Sequence, residues 1–374
     1  MALPVWTSCV RRPFLGPGQL RVGFQRHLPR RITRSFASEA EKSLVQQSPR
    51  DIATRAACLQ LVLARWGMEM ALKMGHGDEE TKQTAMDNIN QAASDPMVID
   101  ALTPKEMTLM TKPNGEWNRD DLHFLGHWES LGVLLWVLSR QSTIPSYYEL
   151  FARPALFNST GILPNSLQTI HTFVNRCEAT YEPRPPHDVQ EAVSQCEAWY
   201  WRAYAQHLLR TREQLGLDET ATESLRPSPT MASQEEVRKL PRAFTKFLRN
   251  LPTAIGQASN LAEQQGLITR AVDHDFGVET SALYGNIEEP RQNIPLNDDG
   301  SLLEPPVTWV PYGAVDDHGL VVLQDIARHR MLAFSWLART VESFDADMTE
   351  LRSINPVNSL WAPYPDASAD SGDS

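Results

Sequence analysis

Residues 126–138 read Gly126-His127-Trp128-Glu129-Ser130-Leu131-Gly132-Val133-Leu134-Leu135-Trp136-Val137-Leu138, the most apolar run in the 374-residue chain. On a helical wheel Trp128, Leu131, Leu135 and Leu138 form one stripe, and Val133, Trp136 and Val137 cover much of the rest. A helix that is apolar nearly all round has to be enclosed by protein. The run therefore predicts a buried central helix over about 120–140, with other helices packed on it. It contains one carboxylate, Glu129. An unpaired buried charge costs several kcal/mol, so this position also predicts a buried cation nearby.

Helical patterns extend on both sides. Upstream, Ile52, Ala56, Leu59, Val62, Leu63, Trp66, Met70 and Leu72 recur at helical spacing, and Gly75 follows as a stop. A weaker helix over about 79–93 has little apolar content and belongs on the surface. Leu102-Thr103-Pro104-Lys105-Glu106 is a helix start, with Thr103 as cap, Pro104 in the first turn and Glu106 completing a capping box. Asn118 or Asp120 is positioned to cap the central helix. Downstream, a short helix is expected within 146–157, a further one over about 163–180, and a long one over about 187–215 that Gly216 ends.

The pattern then breaks. Residues 217–233 are acidic, rich in Ser and Thr, and carry Pro227 and Pro229, as a linker would. Residues 234–265 suggest two short helices broken at Pro252, and 266–318 show little periodicity beyond one edge strand at 307–310. The whole of 217–318 reads as a linker and irregular insertion. The last strong helix lies within 319–345, with Leu323, Ile326, Arg330, Ala333, Phe334, Leu337 and Val341 on one face. Arg330 thus sits in an apolar stripe. Residues 362–374 read as a disordered tail. The expected class is all-α: one multi-helix domain, built from 50–216 and completed by 319–345.

Residues 1–38 differ from everything after them. They hold Arg11, Arg12, Arg21, Arg26, Arg30, Arg31 and Arg34 and no acid, which is the composition of a mitochondrial transit peptide. The stretch Arg34-Ser35-Phe36-Ala37-Ser38 resembles a matrix-protease site. The alternative is a basic tail that binds RNA or lipid; the onset of acids at Glu39 fits cleavage better. The full chain carries 35 basic and 46 acidic residues; without those seven arginines 28 face 46, a net charge of −18. Such a body repels phosphate backbones and anionic lipid, so direct nucleic-acid binding is not expected. No apolar run approaches the roughly 20 residues of a membrane span, so a soluble matrix protein is expected. Cys58, Cys177 and Cys196 lack metal or disulfide spacing and read as reduced thiols.

Five motifs recur in a recognisable order: Ala53-Thr54-Arg55-Ala56; Leu102-Thr103-Pro104-Lys105-Glu106; Trp128-Glu129-Ser130-Leu131 with Leu135-Trp136-Val137-Leu138; Trp199-Tyr200-Trp201-Arg202-Ala203; and His329-Arg330-Met331-Leu332-Ala333-Phe334-Ser335-Trp336-Leu337. Together they resemble the helical family numbered 4272 among the domains of unknown function, over about 50–215 and 319–340. The resemblance implies no particular activity. It also implies an acid just before the arginine of the last helix, where this chain has His329.

Phosphate loops, dinucleotide fingerprints, zincin helices and nucleophile elbows are all missing from the sequence, and no cofactor is expected. His123 and His127 stand four apart, a spacing that can hold a metal; the plainer reading leaves His127 at the core rim and His123 in solvent. Glu129, Arg55 and Arg330 all lie on apolar helix faces. They read either as a structural ion pair that fixes helix register or as a buried acid that transfers protons, and the first is favoured because no nucleophile or cofactor motif accompanies them. Arg330 is the expected partner of Glu129, with Arg55 as the alternative. The aromatics at 199–204 are core rather than a stacking platform. The expected function is therefore a non-catalytic structural or interaction protein of the mitochondrial matrix with protein partners, its 217–318 segment serving as a docking surface. The alternative is an enzyme of unfamiliar type that uses Glu129 and Arg330.

Overall fold

The computed structural model describes residues 44–75, 78–118, 121, 126–162, 167–217, 242–285, 308–346 and 351. The expected transit peptide, linker 217–233 beyond Leu217, and tail lie outside them. The chain divides into two units, one of Met1–Ile32, Arg210–Asn250 and Pro365–Ser374, the other of Thr33–Leu209 and Leu251–Tyr364. In the first, the described residues are the ends of two helices that continue into the second. Everything below concerns the second.

The fold is mostly helical. Helix α1 (Pro49–Met74) starts at Ser48, whose hydroxyl accepts the Asp51 N–H, and ends at Gly75 in the left-handed conformation. Helices α2 (Glu79–Ala93), α3 (Pro96–Ile99) and α4 (Pro104–Met110) follow. The capping box on α4 forms: Glu106 N–H reaches Thr103 Oγ1 at 3.2 Å, and Thr103 N–H reaches Glu106 Oε2 at 2.9 Å.

Helix α5 (His127–Val137) is the apolar run, and every residue from Trp128 to Val137 is buried. It packs on α1 and on the last helix, α11. It is shorter than expected at both ends. Asn118 does not cap it: Asn118 and Asp121 exchange hydrogen bonds with each other instead. Its C-terminus closes at Ser139, a non-glycine at φ 57°, with Arg140 N–H returning to Leu135 O. The helix therefore ends short of residue 140, the expected limit. Two glycines let neighbours approach α5. A Cβ on Gly132 would lie 2.2 Å from the Phe151 ring, and one on Gly126 would lie 2.3 Å from the His329 ring.

Residues 146–152 are irregular, and helix α6 (Arg153–Thr160) comes later than expected. Helices α7 (Leu167–Ala179) and α8 (Pro186–Gln214) match their patterns.

The 217–318 segment holds more structure than its composition suggested. Helix α9 (Arg242–Gln264) runs through Pro252 without breaking. A proline there forfeits one hydrogen bond, but Leu251, Ile255, Ala258 and Ala262 keep an unbroken buried stripe across it. Strands β1 (Ala271–Val272) and β2 (Asp275–Glu279) form a hairpin whose two turn residues, Asp273 and His274, both have positive φ. Helix α10 (Thr280–Gly285) follows, and β3 (Trp309–Pro311) pairs antiparallel with β2, Val278 opposite Val310. The class is thus mostly helical with a small three-stranded sheet, rather than purely α. Helix α11 (Asp317–Leu337) is capped by Asp316, and Arg339 just beyond its end is, like Ser139, a non-glycine at positive φ. Among the described residues no helix is long and apolar enough to cross a membrane.

Candidate functional site

Glu129 lies in the first turn of α5 and is 1 % exposed; Arg330, on the α11 face turned to α5, is 0 % exposed. Arg330 Nε donates to Glu129 Oε2 at 2.8 Å, and Nη2 lies 2.7 Å from the same oxygen as the second contact of the ion pair. The other carboxylate oxygen, Oε1, accepts the Phe151 N–H at 3.0 Å. The rest of the guanidinium holds the chain between α5 and α6. Nη1 donates to the Pro145 and Ser146 carbonyls at 2.6 and 3.2 Å, and Nη2 to the Glu149 carbonyl at 2.6 Å. All three nitrogens of the guanidinium are thereby engaged, through four hydrogen bonds. The guanidinium carbon also lies 5.2 Å from the Phe151 ring centre and 5.6 Å from that of Trp199. Burial pushes the Glu129 carboxyl above its ordinary range, while Arg330 and the Phe151 amide pull it back.

Arg55 is not part of this cluster. It pairs with Glu106 at 2.5 Å and donates to the Ala101 carbonyl at 2.6 Å. Glu106 is thus both the capping-box acid of α4 and the counter-charge of an α1 arginine. Two further buried pairs escaped the sequence reading. Arg65 meets Glu69 at 2.8 Å, and Glu69 Oε1 also accepts the Gly115 N–H. Arg202 grips Asp275 with two bonds of 2.5 and 2.6 Å, and Asp275 Oδ2 accepts the Gly313 N–H. Arg202 could have been found by the signal that singled out Arg330, a charge set among Trp199, Tyr200 and Ala203. Asp275 could not, because its strand carried no pattern.

His123 lies outside the described residues. His127 is half-buried, and its ring meets His329 edge-on, with centroids 4.4 Å apart. Burial lowers the His127 pKa well below the usual imidazole value, and the neighbouring His329 lowers it further. Burial also holds His329 down to about 3, with Arg328 adding to the effect. Among the described residues no group of three or more His, Cys, Asp or Glu side chains could hold a metal. Cys58, Cys177 and Cys196 are buried free thiols, and burial pushes Cys58 and Cys196 up to about 12. Such thiols make poor nucleophiles. Trp199 and Tyr200 are buried, and the Trp199 indole N–H donates to the Leu267 carbonyl, so these two aromatics are core.

Chemically, the Glu129 cluster is a closed network. A general acid or base must come within hydrogen-bond reach of a substrate proton. Both Glu129 oxygens and all Arg330 donors face protein, and a cleft of about 250 Å³ elsewhere, lined by Thr160, Gly161, Gln168, Thr172 and Arg176, contains neither residue. Residues 33–177 match a family model described as a domain of unknown function (DUF4272). That span contains Glu129 and leaves out Arg330. No curated protein and no solved structure matches the chain.

Proposed function

We propose that this chain, a member of the DUF4272 family through residues 33–177, is a non-catalytic interaction protein of the mitochondrial matrix. The observation that carries the non-catalytic part is the saturation of the Glu129–Arg330 pair. An active-site arginine keeps donors for its substrate, whereas Arg330 is fully buried and commits all three of its nitrogens to Glu129 and to three backbone carbonyls. Such a pair orients α5, α11 and the chain between them, which is the register-fixing role of a buried ion pair. The matrix assignment rests on the seven arginines and absent acids of residues 1–38. The net charge of −18 without those arginines favours protein partners over nucleic acid. The 217–318 segment remains the docking surface of this reading.

The test is recovery of the tagged protein from purified mitochondria, followed by sequencing of its N-terminus and identification of what co-purifies. The reading expects an N-terminus near residue 37 and a reproducible set of protein partners that is lost when 286–307 is replaced by a Gly-Ser linker. An intact Met1 or Ala2 end, or a cytosolic location, would overturn the matrix assignment. Conversely, a Glu129→Gln protein that folds normally but loses a measurable activity would establish the enzyme alternative.

A further inference from the structure

We infer that residues 145–151 form a strap through which the buried Glu129–Arg330 pair sets the position of the three-stranded sheet, so that the order of the sheet depends on a charge pair it does not touch. The strap is held on two sides. On one side its backbone is captive: Pro145, Ser146 and Glu149 give their carbonyls to Arg330, and Phe151 gives its N–H to Glu129. On the other side its side chains grip the sheet. The Tyr147 hydroxyl donates to the Gly277 carbonyl in β2. The Tyr147 ring packs 5.9 Å from Phe276, and the Tyr148 ring lies edge-on to Trp309 of β3 at 5.6 Å. Tyr147, Tyr148 and Phe151 are each no more than 4 % exposed, and Phe276 is fully buried.

The two sides cannot move independently. Tyr147 lies between two residues whose carbonyls are fixed by one guanidinium, so its hydroxyl reaches β2 only while that guanidinium stays in place. Arg330 in turn is oriented by Glu129. The strand it positions is itself short, and a three-stranded sheet of 2, 5 and 3 residues has little stability of its own. Contacts that link two marginal elements make their opening cooperative. The Arg202–Asp275 clasp is a second anchor of β2, at its start; the strap holds β2 at its middle. This coupling holds whether or not the sheet docks a partner.

Amide hydrogen exchange on the full-length protein tests it. Tyr147→Phe removes one hydroxyl and leaves the ring, so folding is preserved. It should speed exchange roughly ten-fold both in β2 around Gly277 and at the Phe151 amide, with α1 protected as before. Arg330→Lys keeps the charge but cannot serve Glu129 and three carbonyls together; it should speed exchange in β2 by at least as much. Glu106→Gln disturbs an equally buried pair that lies away from the strap, and should leave β2 as in the native protein. The inference is overturned if Tyr147→Phe loosens β2 but not Phe151, if Arg330→Lys leaves β2 fully protected, or if Glu106→Gln loosens β2 to the same extent.

Discussion

Two corners of this molecule use the same chemistry with different reach. At one, Arg55 and Glu106 pair across 51 residues; at the other, Arg330 and Glu129 pair across 201. Both pairs are buried. Glu106 is also held by its own helix start, since its second oxygen caps Thr103. Its position is therefore fixed by local sequence before the arginine arrives. Glu129 has no such local hold. Its partners are a distant guanidinium and the Phe151 amide, and the arginine spends its remaining donors on chain that neither helix contains. A charge pair seated on a local motif finishes a corner, whereas one that spans the chain decides how separate segments meet.

The largest expected consequence concerns the family-matched segment. Residues 33–177 expressed alone lack α11, leaving one face of α5 bare and Glu129 without Arg330. This fragment should show no cooperative thermal unfolding, and dispersed amide resonances with a sharp transition would contradict it. Next, Glu129→Ala should cost about 3–5 kcal/mol by stranding a buried guanidinium. Glu106→Ala should cost about 2–3 kcal/mol, the loss of a charged hydrogen bond and a cap with Arg55 still bound to Ala101. Chemical denaturation ranks the two, and equal costs would remove the distinction between the corners.

A smaller effect should appear with pH. The usual imidazole value is about 6.5, and folded His329 titrates near 3. The unfolded chain thus binds the proton first, so stability should be full above about pH 6.5 and fall as pH drops toward 3, by roughly 2 kcal/mol at about pH 5. His329→Gln should reduce that slope, with His127 keeping its own share; an unchanged slope would show that His329 is accessible and titrates normally. Smallest is Gly132→Ala. Its methyl would displace the Phe151 ring, but alanine favours helix by about 1 kcal/mol, leaving a net loss of about 1 kcal/mol. A stabilised protein would mean that Phe151 moves freely.

How far the sequence could be read follows the same division. Elements defined by local chemistry were legible: the Thr103–Glu106 capping box, the apolar α5, and the spacing of α1, α8 and α11. Arg330 and Glu129 stood out because a charge on an apolar face requires a partner. Of the sheet, only the edge strand expected at 307–310 stood out, where β3 lies. The hairpin turns on Asp273-His274, without the glycine that usually marks two positive φ angles, and Gly277 interrupts the β2 pattern. Pro252 suggested a break because proline is costly in isolation, yet a continuous buried face outweighs it. The ends of α5 and α11 were misplaced because Ser139 and Arg339 adopt a conformation that glycine or asparagine ordinarily signals. His329 drew notice only as a departure from a family pattern, since nothing local tells that its ring lies against Gly126 and His127.

The most direct measurement is a double-mutant cycle on Glu129 and Arg330, with Glu129→Ala, Arg330→Met and the double variant unfolded by denaturant beside the native protein. If the pair spans the fold as described, each single change leaves the other charge buried alone. The double change should then cost less than the sum of the two by at least about 1 kcal/mol. Costs that simply add would mean that the two residues stabilise the fold separately, and that the ion pair does not join α5 to α11.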